Sequence, residues 1–403
     1  MMQMESASIC VNGGQSATVR SGSAYSFAVT GGICVICGFS VRWCNGAMVF
    51  AMVLASPAPL RFNSIAIDGG ATMSATQSQK LENEEGPMPT TSRALLAEII
   101  DYAGLFPPAK LPMNEAFRRF LGHLAGDDGW LLARFVCPAS RLDELAPLLE
   151  TTDLAQTPLR IAVLGAGGDD PPSFAEALEN DLELLRNFNA QLEGKAATDV
   201  FEVKLPGQGD PSEVVDFTLH HLGEVAARPP VSFFEVSLLD DRQDPVMEAM
   251  AVAAASHQID ERRRAGLKIR CGGLDASAVP SVGAVAASIA ASLMAGLPLK
   301  ATQGLHHPIR RHDPNLGTMV HGFLNLFAAA VLVRDHACDE ATIHRIVGEE
   351  DPEAFALTES TLSWRDLKTG FQGVVDGRTL GMTSFGSCSF TEPRDDLADL
   401  GWL

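Results

Sequence analysis

The chain has 403 residues, 46% of them hydrophobic and 20% charged, a globular composition long enough for one large α/β barrel or two ordinary domains. Its formal net charge of −20, with no long basic run to offset it, argues against nucleic acid or an anionic membrane surface as a partner. The expected partner is a small-molecule substrate; no cofactor is expected, and oligomerisation is left open.

Residues 1–72 differ in kind from the rest. They are rich in Ser, Gly, Ala and Cys, with only Glu5 and Asp68 acidic and Arg20, Arg42 and Arg61 basic. Three readings compete. A transit peptide fits the Ser-rich, acid-poor composition and would direct the protein to an organelle. A signal or membrane segment fits FAVTGGICVICGFSV and AMVFAMVLA, although Arg42 and Asn45 interrupt them before a spanning length accumulates. An upstream start codon, with translation beginning at Met73 or Met88, is the third, and with it the expected location is cytoplasmic. Residues 73–90 read as a flexible linker, which divides the chain into an extension over 1–90 and a folded domain over 91–403. Cys34 and Cys37 form a CxxC with no second pair at zinc spacing, a weak metal or redox signal. Cys137, Cys271, Cys338 and Cys388 are scattered and read as thiols of a reducing compartment.

From Thr91 onward short apolar runs alternate with helical stretches. The runs are EIIDYAGLF, WLLARFVC, LRIAVLGAG, VFEVKLPG, VSFFEVSLL, LKIRCGG, PLKATQG and, after a long gap, TSFGSCSF. Between them FAEALENDLELLRNFNAQL, PSEVVDFTLHHLGEVAA, PVMEAMAVAAASHQIDERR and SVGAVAASIAASLMAG carry apolar residues at helical spacing. Asp210-Pro211-Ser212 and Val279-Pro280-Ser281 are helix-start signals. Strands alternating with helices imply a parallel sheet. Eight of them favour an α/β fold of the closed (β/α)₈ TIM-barrel type, with a helical insertion over about 305–380 between strands seven and eight. No GxGxxG follows an early strand, which weakens a dinucleotide-binding alternative.

Strand side chains alternate, so Lys268 and Arg270 share one face of LKIRC while Leu267, Ile269 and Cys271 share the other. Glu202 and Lys204 likewise oppose Val203 and Leu205, and Lys300 opposes Leu299 and Ala301. In a barrel the apolar face packs on the outer helices, and the charged face points inward toward the active-site mouth. Glu202, Lys204, Glu235, Lys268, Arg270 and Lys300 are therefore expected to converge. The chain has seven lysines against twenty-three arginines, yet three of the seven fall in predicted strands. Lysine, unlike arginine, can be made neutral by burial, and two cations on adjacent strands depress each other further, the arrangement of a Schiff-base nucleophile. The competing reading is an inward layer of ion pairs without chemistry.

These runs resemble, in order, deoxyribose-phosphate aldolase and its class I aldolase relatives. EIIDYAGLFPPAKLPMNEA is similar to that family's opening strand, ARFVCPAS to its second and FFEVSLL to its fifth. LKIRCGG stands where the family carries its Schiff-base lysine, PLKATQGL where it carries a second lysine, and SFGSCSF resembles its Gly-Ser phosphate loop. The resemblance implies lyase chemistry with Lys268 as nucleophile, Lys300 as the group lowering its pKa, and Asp101 and Glu202 as carboxylates near the mouth. The departures are Ile269-Arg270-Cys271-Gly272 where the family has Thr-Ser-Thr-Gly, Glu202 where it has Asp, Phe106 in place of a lysine, and the long insertion. DYAGLFPPA with GLHHP also resembles a bacterial family without an assigned activity.

His306, His307 and His312 follow strand seven with Arg310 and Arg311 among them. Loops after strands seven and eight of a barrel are the usual phosphate site, so Arg310, His307 and the Gly386-Ser387 turn are candidates to hold a phosphate or carboxylate, with a histidine as acid or base. Arg270 and Glu235 are further substrate-binding candidates, with Lys204 and His306. An alternative class is a metal-dependent hydrolase or isomerase with His306, His312 and Glu202 as ligands. A second alternative is a non-catalytic binding barrel.

Overall fold

In this computed structural model the structure describes residues 90–403, apart from 154–157, 193, 227, 240–263 and 337, and five short strands within the first 52 residues. Ala7–Val11 pairs antiparallel with Gln15–Val19, and Val35–Ile36, Phe39–Cys44 and Ala47–Met52 form an antiparallel sheet. These strands belong to a unit over Met1–Glu84; the second unit covers Glu85–Leu403. Cys34, Cys37, the expected linker up to residue 89 and the helix expected over 245–263 lie outside the described residues.

Eight parallel strands close into a barrel in chain order. They are β1 (Ile100–Tyr102), β2 (Leu132–Pro138), β3 (Leu159–Leu164), β4 (Ala196–Lys204), β5 (Val231–Val236), β6 (Ala265–Arg270), β7 (Leu299–Thr302) and β8 (Met382–Ser387). The eight apolar runs of the sequence are these strands, and the fold is the (β/α)₈ barrel that their alternation predicts. Helix α1 (Thr91–Leu96) precedes β1; α2 (Met113–Leu124), α3 (Leu142–Thr151), α4 (Pro171–Gln191), α5 (Pro211–Gly223) and α6 (Val282–Ala295) follow β1, β2, β3, β4 and β6. Asp210 caps α5 by accepting from Ser212 N, and Ser281 caps α6 by accepting from Ala284 N, which satisfies backbone donors the helix itself cannot.

Between β7 and β8 the chain forms a hairpin (Arg311–Asp313 with Thr318–Val320), then α7 (Phe323–His336) and α8 (Glu340–Val347). A three-stranded antiparallel sheet (Phe355–Leu357, Thr361–Trp364, Leu367–Gly370) and α9 (Phe371–Leu380) complete the segment, and α10 (Thr391–Asp399) follows β8. Residues Phe323–Val333 of α7 are all buried, as expected of a helix that is apolar on every side; α6, α8, α9 and β8 pack around it. Its one buried amide, Asn325, accepts from Arg310 N and donates to the carbonyls of Ile346 and Glu349, so the polar group is satisfied inside the core.

At the opposite end, Arg378 of α9 donates to the carbonyls of Leu95, Ala97, Glu98, Met382 and Thr383. The guanidinium thereby ties the entrance of β1 to the entrance of β8, using the fixed donor fork that lysine lacks. Burial pulls its pKa down to about 10, because nearby Glu98 and Asp101 only partly offset the lost hydration. Outward strand residues such as Phe135, Phe201, Leu267, Ile269 and Phe385 join the main core beneath the helices, while Val136, Ala162, Val200 and Phe233 form a second apolar cluster.

Candidate active site

Inside the barrel the strand alternation delivers the charged residues to one place. Lys268 on β6 donates to Glu202 Oε2 at 2.6 Å and to Glu235 Oε2 at 3.0 Å. Lys300 on β7 donates to Asp101 Oδ2 at 2.8 Å and to Glu202 Oε1. Lys268 and Lys300 are direct partners in the β6–β7 register, so Glu202 bridges two cations on adjacent strands, one to each oxygen. The Asp101 carboxylate also accepts from the Ser384 hydroxyl. Lys300 Nζ lies 5.3 Å from the centroid of the Phe233 ring, which turns an electron-rich face to the cation. Asp101, Lys300, Glu202 and Lys268 are buried, at 0, 1, 3 and 5% exposure, and Glu235 is partly open to the mouth.

Burial of this degree would ordinarily neutralise both signs of charge. Here pairing overrides it. Burial alone would raise the Glu202 carboxyl, but the two lysines hold it down to about 2. Burial would lower the Lys268 ammonium, and Glu202 and Glu235 push it above its ordinary value instead. The expectation that Lys300 depresses Lys268 is therefore corrected: each lysine faces carboxylates, and Lys268 rests as a paired ammonium.

The ionic chain continues beyond the residues singled out in the sequence. Arg134 on β2 reaches Asp101 Oδ1 at 3.4 Å and grips both oxygens of Asp199 at 2.8 Å. Asp199 also accepts from Arg160 on β3, which in turn pairs with Glu98. Strand parity puts Asp199 on the face opposite Glu202. A register shift between β3 and β4, after the Ile161–Thr198 pair and before Ala162–Val200, lets Asp199 meet Arg134 and Arg160 while Thr198 bonds Asn189 of α4. A similar shift brings Ser384 opposite Lys300. Such bulges re-aim side chains beside functional sites, and nothing in residue type announces them. Alternating charges thus run from Arg270, at the C-terminal end of β6, to Glu98, just before β1.

The mouth explains the glycines that follow both lysine strands. A Cβ on Gly272 would stand 2.8 Å from Gly304 Cα, and one on Gly304 2.9 Å from Gly272 Cα, so the chain leaves β6 and β7 backbone against backbone. Gln303 takes a left-handed φ of 59°, which a non-glycine residue rarely adopts, and its side-chain oxygen accepts from Arg270 Nε at 2.8 Å. Arg270 NH1 is 3.3 Å from Glu235 Oε1, and its side chain is 44% exposed. Lys204, at the end of β4 beside Glu235, is exposed and forms no ion pair among the described residues.

The loop after β7 is engaged differently from the expected anion site. His306 Nδ1 is 2.9 Å from Glu392 and His307 Nδ1 2.6 Å from Asp396, both on α10. The Glu392 hydrogen bond raises the pKa of His306 against the opposing effect of burial. Arg310 reaches Glu350 at 3.1 Å. Gly386 and Ser387 lie within β8, and the Ser387 hydroxyl donates to the Ser389 carbonyl. His312 is exposed on the hairpin. The metal set His306, His312 and Glu202 is not brought together, since Glu202 is committed to the lysines; among the described residues no group of three His, Cys, Asp or Glu could hold a metal ion. Cys137 and Cys271 are free, buried thiols; burial pushes Cys137 up to about 12 and Cys271 in the same direction, which leaves them unreactive.

No family model matches the sequence, and no curated protein matches it. Among solved structures, the chain is similar to the deoxyribose phosphate aldolase of Aeropyrum pernix, described as tetrameric, with 13% identity and a TM-score of 0.40. The match covers 78% of this chain and 99% of that one. A likeness of that degree conveys neither activity nor substrate.

Proposed function

We propose that the barrel carries out carbon–carbon bond cleavage or formation, or a related carbonyl rearrangement, through a Schiff base on Lys268. The supporting observation is the Glu235–Lys268–Glu202–Lys300–Asp101 cluster: an amine buried among proton acceptors at the mouth end of a barrel, where such folds keep their chemistry. Clusters of strongly perturbed groups concentrate at functional sites.

In this reading the Lys268 ammonium first releases its proton to solvent by way of Glu235, its less buried acceptor. The Nζ lone pair then adds to the substrate carbonyl carbon, and the carbonyl oxygen, protonated, leaves as water. The resulting iminium takes up the electron pair of the bond broken at the neighbouring carbon. Glu202 moves the proton on and off that carbon, and Lys300, held between Asp101 and Glu202, keeps Glu202 aligned. Reductive trapping tests this. Incubation with small aldehydes and oxo acids plus borohydride, followed by peptide mass spectrometry, is expected to give an adduct on Lys268 that Lys268→Ala abolishes; no adduct from any carbonyl compound overturns it.

One observation favours a second reading. Every charge in the cluster has an opposite partner, which is also what a binding barrel with a structural ionic layer requires. That reading expects Lys268→Ala to leave ligand binding intact.

A further inference from the structure

We infer that the anionic end of the substrate is a carboxylate close to the reacting carbonyl, as in a short oxo acid, held by Arg270 and Lys204 at the β4–β6 side of the mouth, and not a phosphate on the loops after β7 and β8. This deepens the Schiff-base reading and rests on it.

Two observations carry the inference. The first is the pairing of the loop beyond β7. His306, His307 and Arg310 each face a carboxylate, from Glu392, Asp396 and Glu350 respectively. The cleft there is lined by Arg311 and Asp313 as well as His306, His307 and Glu392, so its charges offset one another. The Glu392 carboxylate sits in the first turn of α10, with Ser389 Oγ accepting from Glu392 N; the helix end that would attract a phosphate already has its anion. A phosphate entering here would have to displace carboxylates from their partners.

The second is the geometry on the other side. The Glu235 carboxylate reaches Lys268 Nζ at 3.0 Å with one oxygen and Arg270 NH1 at 3.3 Å with the other. Amine and guanidinium therefore stand one carboxylate apart. In a 2-oxo acid the carbonyl carbon is bonded directly to the carboxylate, so a molecule anchored at Arg270 presents that carbon to Lys268 with no chain to spare. Arg270 has the means to anchor it: Nε is fixed by Gln303 and NH1 by Glu235, while NH2 makes no hydrogen bond among the described residues. Lys204, on the same face of β4 as Glu202, adds a second exposed cation beside Glu235. A planar fork held at two nitrogens suits a carboxylate, and a bulky sugar phosphate would place its carbonyl too far from its anion for both contacts.

The test compares three probes at equal concentration with the full chain: glyoxylate, glycolaldehyde phosphate and the uncharged propanal. Cyanoborohydride reduces each iminium to a secondary amine, and the adduct on Lys268 is quantified relative to propanal. The expected result is that the glyoxylate-to-propanal ratio falls about tenfold or more in Arg270→Gln, since one charge-assisted hydrogen bond is lost, and recovers in part in Arg270→Lys. A ratio equal in wild type and Arg270→Gln overturns the inference, as does a glycolaldehyde phosphate ratio above that of glyoxylate. Propanal separates the two claims: adducts with propanal but no glyoxylate preference refute the carboxylate site alone, whereas no adduct with any probe refutes the Schiff-base reading beneath it.

Discussion

Lys268 and Lys300 stand opposite each other on neighbouring strands and bond to opposite oxygens of a single carboxylate, Glu202. Three buried charges of alternating sign are thereby locked into one geometry. Removing the central member leaves two ammonium groups facing each other with one anion fewer.

Glu202→Gln is accordingly expected to destabilise the fold by about 3–5 kcal/mol, the usual consequence of breaking a buried ionic set. Urea unfolding of wild type and variant checks this. The same substitution removes one of the two carboxylates that raise Lys268, so the residual trapping reaction should reach its plateau at a lower pH than in wild type.

Stability toward acid should depend on the same carboxylate. Glu202 is held down to about 2 in the folded chain against roughly 4.3 unfolded. Its contribution, about 3 kcal/mol, is present above the unfolded value and lost as pH falls from about 4.3 toward 2. Lys268 behaves oppositely: its pKa is raised, so its contribution is complete at neutral pH and lost only above the ordinary lysine range. Unfolding midpoints measured down to pH 2 should therefore drop in that window for wild type and much less for Glu202→Gln.

Asp181 runs against this trend. Buried on α4, it accepts from Ala166 N at 2.7 Å, but burial raises its pKa to about 6. Here the contribution is complete below about 3.9 and lost as pH rises through 6, a change of about 3 kcal/mol. Asp181→Asn keeps an oxygen for Ala166 and removes the ionisation, so the variant should gain stability over wild type at pH 7 and match it at pH 4. An equal offset at both values would contradict the assignment.

Arg378→Lys should cost about 1–3 kcal/mol, because three rotatable donors cannot serve five carbonyls and all but that of Glu98 lie at least partly out of solvent. Hydrogen exchange should localise the loss to residues 95–102 and 382–385, the two strand entrances that Arg378 joins.

Much of this arrangement is legible in the sequence. Lysines within apolar runs, followed by glycine, give the inward face of β6 and β7, and the alternation in VFEVKL gives Glu202. What escapes is set by register and by partners remote in the chain. Asp199 and Ser384 reach the interior through local shifts in strand pairing, which residue types do not encode. The sense of the Lys268 shift is hidden for a related reason: two lysines on adjacent strands suggest mutual repulsion, and only the fold reveals Glu202 between them. Glu392 and Asp396, which claim the loop histidines, lie more than 80 residues beyond them.

The central claim is that Lys268 becomes a nucleophile once it releases its proton. The most direct measurement is the rate of cyanoborohydride trapping mapped to Lys268 between pH 6 and 9. Since Glu202 and Glu235 raise its pKa, the neutral amine grows tenfold with each unit throughout that range, and the rate should climb in parallel without a plateau. A rate independent of pH, or an adduct confined to exposed lysines such as Lys204 and Lys110, would contradict it.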